Sequence, residues 1–140
     1  MLTGIDPLLT GKLLEHLDAM GHSDSVVIAD AHFPAARIAA RLIDLPGTST
    51  PEVLAAVRSV LPLDDAPALD LMATPEGTPL PIHEALIAAA GAEPADVNFV
   101  DRYQFYDVSA GAYVIIRTGE TRTYGNALLR KGLVQLEAAK

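Results

Sequence analysis

Residues 25–34 read Ser-Val-Val-Ile-Ala-Asp-Ala-His-Phe-Pro, and this stretch decides the fold. Ser25 to Ala29 is a short β-branched run of the kind that forms a buried strand, and Asp30 to Pro34 ends it. The polar cluster therefore sits at the carboxyl end of a strand. Upstream, Leu13, Leu14, Leu17 and Met20 recur at helical spacing. They predict a helix over about 10–20, with Gly21 where a C-terminal capping glycine would stand.

Downstream, Thr50-Pro51-Glu52 is a helix-start signal with Thr50 as N-cap. Val53, Leu54, Val57 and Val60 carry that helix to Leu61. Ala68 to Met72 and Asn98 to Val100 are short apolar runs, and Ile82 to Ala90 is a helix stopped by Gly91. Ala112 to Thr118 is the clearest strand. A Gly119-Glu120 turn leads into a last extended piece over about 126–130. This alternation predicts an α/β fold, a single domain over residues 1–140 with three layers and helices on both faces of the sheet. Its ligand crevice is expected at the strand ends.

Composition narrows the function classes. The chain has 140 residues, of which 50% are hydrophobic and 20% charged, so one packed core is expected and disorder is excluded. It contains no cysteine, which removes disulfides, thiol nucleophiles and thiolate metal sites. Ten Lys and Arg stand against 18 Asp and Glu, a formal charge of -8, with the basic residues scattered. Nucleic acid phosphates would meet a repulsive field, so nucleic acid is not an expected partner. The opening residues carry charges at Asp6 and Lys12 and no long apolar run. Neither a signal peptide nor a membrane anchor is expected, and the predicted location is the cytoplasm. A greasy composition with few aromatics is explained by buried subunit contacts or, alternatively, by a tight monomeric core. No Gly-x-Gly-x-x-Gly or Walker pattern supports nucleotide chemistry.

Two polar groupings remain for chemistry. One is Gly21-His22-Ser23-Asp24 together with Asp30 and His32. The other is Asp101 to Tyr106 with Tyr124-Gly125-Asn126. His22 follows a helix and Asp30 follows a strand, so both side chains are expected to face one crevice. Each residue also has an ordinary structural reading. His22 can sit on the C-terminal dipole of its helix, Asp30 can open a turn before Pro34, and Tyr124-Gly125-Asn126 can be a plain turn. Arg102 can pair with Asp101 or Glu120 on the surface. The residue types of His22, Asp24, Asp30 and His32 would also suit a metal-dependent hydrolase. Their spacing matches no established ligand motif, and no metal or cofactor is expected.

Met20-Gly21-His22, Asp30-Ala31-His32-Phe33-Pro34, Arg102 with Phe105-Tyr106, and Thr118-Gly119-Glu120 with Tyr124-Gly125-Asn126 together resemble the fucose mutarotase and ribose pyranase family. The resemblance runs from Leu2 to about Val134, in order and with similar gaps. It implies a cofactor-free α/β protein that assembles into rings, often decamers, with active sites at subunit interfaces. Its implied activity is interconversion of anomers or ring forms of a free monosaccharide. It makes His22 the catalytic proton donor and Asp30 a ligand of sugar hydroxyls. It makes Arg102, Tyr106, Tyr124, Gly125 and Asn126 substrate contacts. Asp30 to Pro34, Arg102 and Gly125 follow the fucose branch, whereas Gln104 and Arg117 look more like the ribose branch. L-Fucose is the expected sugar, with a ribose pyranase and a noncatalytic monosaccharide-binding module as alternatives.

The chemistry suits these residue types. Opening a hemiacetal needs a proton delivered to the ring oxygen and another removed from the anomeric hydroxyl. A histidine, ordinarily titrating near 6.5, serves both directions at neutral pH. Holding a neutral polyol calls for Asp, Asn and Arg hydrogen bonds and an apolar wall, here Phe33 and the tyrosines.

Overall fold

The computed structural model describes residues 1–65 and 67–136. In chain order the elements are α1 (Gly11–Ala19), β1 (Ser25–Ala29), α2 (Ala35–Ile38), β2 (Leu42–Leu45), α3 (Thr50–Arg58) and β3 (Leu69–Met72). There follow α4 (Pro81–Ala90), a 3₁₀ turn (Pro94–Asp96), β4 (Val97–Val100), α5 (Arg102–Ala110), β5 (Val114–Thr118) and β6 (Ala127–Arg130). No helix among the described residues is long and apolar enough to cross a membrane.

The six strands form one sheet in the order β2-β5-β1-β6-β3-β4. β1, β2 and β5 are mutually parallel, and β3 is parallel to β4. β6 runs antiparallel to both β1 and β3, and so joins the two parallel groups. Five strands point one way and β6 returns between them. Its start thus lies beside the exits of β1 and β3, and its end beside their entries.

The β1 run is apolar on both sides because both sides are covered. Val26 and Ile28 pack under α1, α3 and α4 with Leu13, Leu54 and Leu86. Val27 and Ala29 face α2 and α5 with Ala35 and Phe105. The expected three layers, with helices on both faces, are present. A fully buried Leu or Phe contributes roughly 1.5–3 kcal/mol.

Local signals differ from expectation at two helix ends. The N-cap of α3 is Ser49, not Thr50: Ser49 Oγ accepts from Glu52 N, and Glu52 Oε1 accepts from Ser49 N at 2.7 Å. This reciprocal capping box outcompetes Thr50, whose hydroxyl turns inward. The cap of α1 is Met20 in an extended conformation, while Lys131 Nζ donates to the carbonyls of Leu17 and Met20 at 2.7 Å. A distant lysine thus satisfies the helix end that Gly21 was expected to close. Gly91 does take the left-handed conformation after α4, at φ 63°. Four elements escaped the sequence reading: the short α2 and β2, the 3₁₀ turn, and α5, which occupies a stretch read only as a polar grouping.

Candidate functional site

A cleft of about 170 Å³ opens where β1, β3 and β4 end and β6 begins. It adjoins a second depression of about 330 Å³ that shares Arg102 and Tyr124. Asp30, Phe33, Arg102, Tyr106, Tyr124 and Asn126 line the cleft, together with His32, Met72 and Thr123.

Asp30 leaves the buried end of β1 and is itself buried. Its backbone N–H donates to Asn126 Oδ1 at 2.7 Å, and Asn126 Nδ2 donates back to Asp30 Oδ2 at 3.1 Å. His32 N donates to the other carboxylate oxygen at 3.0 Å. This reciprocal pair joins residues 96 apart in sequence and leaves each carboxylate oxygen a further lone pair for a ligand hydroxyl. Burial raises the Asp30 carboxyl above its ordinary value, with the His32 and Asn126 hydrogen bonds opposing it. The carboxylate is poorly solvated and gains from donors placed against it.

The opposite wall is aromatic. Phe33 meets Phe105 and Tyr106 edge to face at 5.8 and 5.4 Å. Such pairs fix ring orientation and present an apolar surface beside the polar pair. Arg102 stands at the first turn of α5 with its guanidinium over the Tyr103 ring at 4.7 Å. It pairs with neither Asp101 nor Glu120: the Asp101 carboxylate caps α5, and Glu120 is occupied by Arg122. Tyr124 holds a left-handed φ of 63°, which costs a non-glycine residue on the order of 1–3 kcal/mol. Met72 also contributes, its sulfur 3.8 Å from Asn126 Nδ2. Behind it His83, fully buried, accepts from Leu80 N through Nδ1 and binds the Met72 carbonyl through Nε2 at 2.9 Å.

His22 is not in this cleft. It precedes β1, whereas Asp30 follows it, and a five-residue strand spans about 16 Å. The expectation that the two side chains face one crevice fails within a single chain, because the rigid strand holds them at its two ends. At the entry end, His22 Nε2 lies 2.9 Å from Asp64 Oδ1, and Ser23 Oγ donates to Asp64 Oδ2 at 2.6 Å. These hydrogen bonds, that of Ser23 first, hold the Asp64 carboxyl below its ordinary value. An ionised Asp64 accepts from His22, which puts the proton on Nε2 and directs Nδ1 away from the carboxylate. A separate depression of about 280 Å³ lies here, lined by His22, Leu63, Asp64, Asp65, Gly132 and Leu133. Ser23, at φ 69°, is the other left-handed non-glycine residue among the described residues.

The four residue types weighed as a metal site are likewise divided, His22 and Asp24 at one end of β1 and Asp30 and His32 at the other. Sequence reasoning missed Asp64, Met72, Thr123 and His83. Leu63-Asp64-Asp65 reads as an ordinary polar turn, and nothing local ties it to a histidine 42 residues earlier.

Comparison with known proteins gives a consistent result. The sequence pattern of the family described as "RbsD / FucU transport protein family" matches residues 3–134. A fucose mutarotase of Streptococcus pneumoniae, solved in complex with L-fucose, is 34% identical. The match covers 96% of this chain and 100% of that one, with a TM-score of 0.88. FucU from Bifidobacterium longum is 33% identical over 95% of this chain and all of that one, with a TM-score of 0.87. RbsD of Bacillus subtilis, solved with D-ribose, shares the fold at a TM-score of 0.78 and 23% identity, covering 96% of this chain and 100% of that one.

Proposed function

Because this chain belongs to the RbsD / FucU transport protein family, we propose that it is a sugar isomerase, a mutarotase that interconverts the anomers of L-fucose. The observation that carries this reading is the buried Asp30–Asn126 pair facing the Phe33 and Tyr106 wall. A carboxylate and an amide locked together offer acceptors and donors to adjacent hydroxyls, and the aromatic wall accepts an apolar sugar face. A 6-deoxy sugar presents a methyl group to such a wall, which favours fucose over ribose. The relative solved with L-fucose supports the same choice.

In this mechanism Asp30, Arg102, Tyr106 and Asn126 bind hydroxyls, and the Tyr124-Gly125 backbone lies along the ring. As the ring opens, His22 Nδ1 takes the proton of the anomeric hydroxyl and delivers it to the ring oxygen while the C1–O5 bond breaks; after the aldehyde turns over, the same two transfers run in reverse and close the ring on its other face. Asp64 fixes its tautomer, so Nδ1 is the atom that exchanges protons. Positioned acid–base groups contribute about 10²–10⁴ in rate, adequate for a reaction that also runs uncatalysed. Since His22 and Asp30 stand at opposite ends of β1, the imidazole comes from a second copy, and the working unit is a homo-oligomer with sites shared between subunits. No part of the cycle is redox, and none draws on a cofactor.

Exchange NMR on α- and β-L-fucose, with D-ribose as the second sample, tests the assignment. Accelerated anomer exchange of fucose that disappears in His22→Ala is the expected result. Acceleration confined to the pyranose–furanose exchange of ribose would replace fucose mutarotation by pyranase activity. Sugar binding without acceleration would leave only a binding module.

A further inference from the structure

Glu120 is a buried carboxylate that does not line the cleft and takes no part in the mechanism above. We propose that it is a positioning residue: its carboxylate latches the loop of residues 121–126 so that Tyr124 and Asn126 are presented to the sugar. The proposal rests on the mutarotase reading for its kinetic consequences, although the latch itself is a property of the fold.

Three observations carry it. First, the carboxylate gathers five donors. Oε1 accepts from Arg122 Nη2 at 2.9 Å and from Thr50 N and Oγ1 at 3.3 Å; Oε2 accepts from Arg122 Nε at 3.0 Å and Arg122 N at 3.1 Å. It thereby ties the loop to the first turn of α3, where peptide dipoles also favour an anion. Second, the Glu120 backbone binds the strand exit that carries Asp30. Its carbonyl accepts from Ala31 N at 2.8 Å, and its N–H reaches Thr118 Oγ1, which donates to the Ala29 carbonyl. Both halves of the cleft thus hang on one residue.

Third, the backbone of the loop makes few hydrogen bonds of its own. Among the described residues, Thr121 to Gly125 make no backbone-to-backbone hydrogen bond outside the strands. The Glu120 stem also fills the space under Gly125, where an added Cβ would lie 3.2 Å from Glu120 Cγ and 3.1 Å from the Arg122 carbonyl. Asn126 is also held by Asp30, and the same Cβ would lie 3.2 Å from Ile82 Cγ1, but residues 121–124, with Tyr124 left-handed, lean on Glu120 and relax when that anchor is removed.

The test uses two variants. Glu120→Gln keeps the shape but turns one acceptor toward Arg122 into a donor. Arg122→Gln removes two of the five donors from a side chain that is half exposed, so folding is not at stake. Expected are a KM for fucose raised about tenfold in Glu120→Gln and about threefold in Arg122→Gln, with kcat changed less than KM. Arg122→Lys should recover part of the loss. Loss of active protein with an unaltered KM in both variants would mean that Glu120 serves folding only, and would overturn the proposal. Amide hydrogen exchange of residues 121–126 gives a reading that needs no turnover. It should accelerate in both variants, and unchanged protection overturns the latch even if the wild-type protein isomerises no sugar.

Discussion

The two ends of β1 carry opposite kinds of carboxylate. At the exit, Asp30 is buried and its carboxyl is pushed up by that burial; at the entry, Asp64 is partly exposed and its carboxyl is pulled down by the hydrogen bonds of Ser23 and His22. One is short of donors and suited to meet ligand hydroxyls. The other already has Ser23 and His22 and is suited to orient an imidazole. Each end also holds one of the two left-handed non-glycine residues found among the described residues, Tyr124 and Ser23. On the proposed function, the sheet carries the binding groups and the proton-transfer group at opposite ends of β1, which no single copy can bring together. The difference teaches that assembly, not local folding, would complete the chemistry.

The sharpest way to break this comparison is to separate the halves by mutation. His22→Ala is expected to lose about 10²–10⁴ of the exchange acceleration, and Asp30→Asn to lose acceleration through weakened sugar binding, both measured by NMR line shape. Mixed and reassembled, they should regain up to about a quarter of wild-type activity, because hybrid interfaces hold one intact pair of halves. No recovery on mixing would place both residues in the same copy's site. Next in size, Asp64→Asn should slow exchange by roughly 10–100-fold without changing sugar affinity, since a misdirected imidazole costs rate and not binding. A change confined to KM would make Asp64 part of the binding half instead.

Stability against acid distinguishes the exit end further. The Glu120 carboxyl is held at about 2 against an ordinary 4.5, chiefly by its hydrogen bonds to Arg122. A depressed carboxyl stabilises the fold fully above its unfolded value and loses that contribution as pH falls through the folded one. Melting followed from pH 5 down to pH 2 should lose on the order of 2–3 kcal/mol through this group, and Glu120→Gln should flatten the limb. Asp30 has the opposite sign. Its raised carboxyl favours the fold at low pH and weighs against it as pH rises past its elevated value. The smallest effect is expected at Arg117, which sits at the same end of the sheet but pairs with Asp44 on the surface at 2.6 Å. Arg117→Ala should cost less than about 1 kcal/mol and leave exchange unaltered, which would confine function to the cleft.

Much of the architecture was legible in the chain. The β-branched run at 25–29, the helix-start signal near 50 and the glycine after Ala90 all reflect local preferences that the tertiary structure kept. Other elements were not legible, for identifiable reasons. In α5 the buried positions are Phe105 and Ser109 only, so its apolar period is faint and its start depends on the Asp101 cap. α2 and β2 are four residues each, too short for a period to show. Asp30, Asn126 and the aromatics were recognisable by type as residues suited to a polyol, and the structure does gather them in one cleft. The partners of His22 were not recognisable, because Asp64 reaches it across 42 residues.

What the sequence determined by itself was the inventory: an α/β order, a buried strand with polar groups beyond each end, and residues of the right chemistry. These follow from interactions within a few residues, namely side-chain period, capping and turn preference. What only the tertiary structure decided was which of them meet. The antiparallel return of β6 carries Asn126 to Asp30 and Lys131 to the other end, and the stiffness of β1 keeps His22 and Asp30 apart. Strand direction is set by packing and pairing across the whole chain, and no window of local sequence contains it.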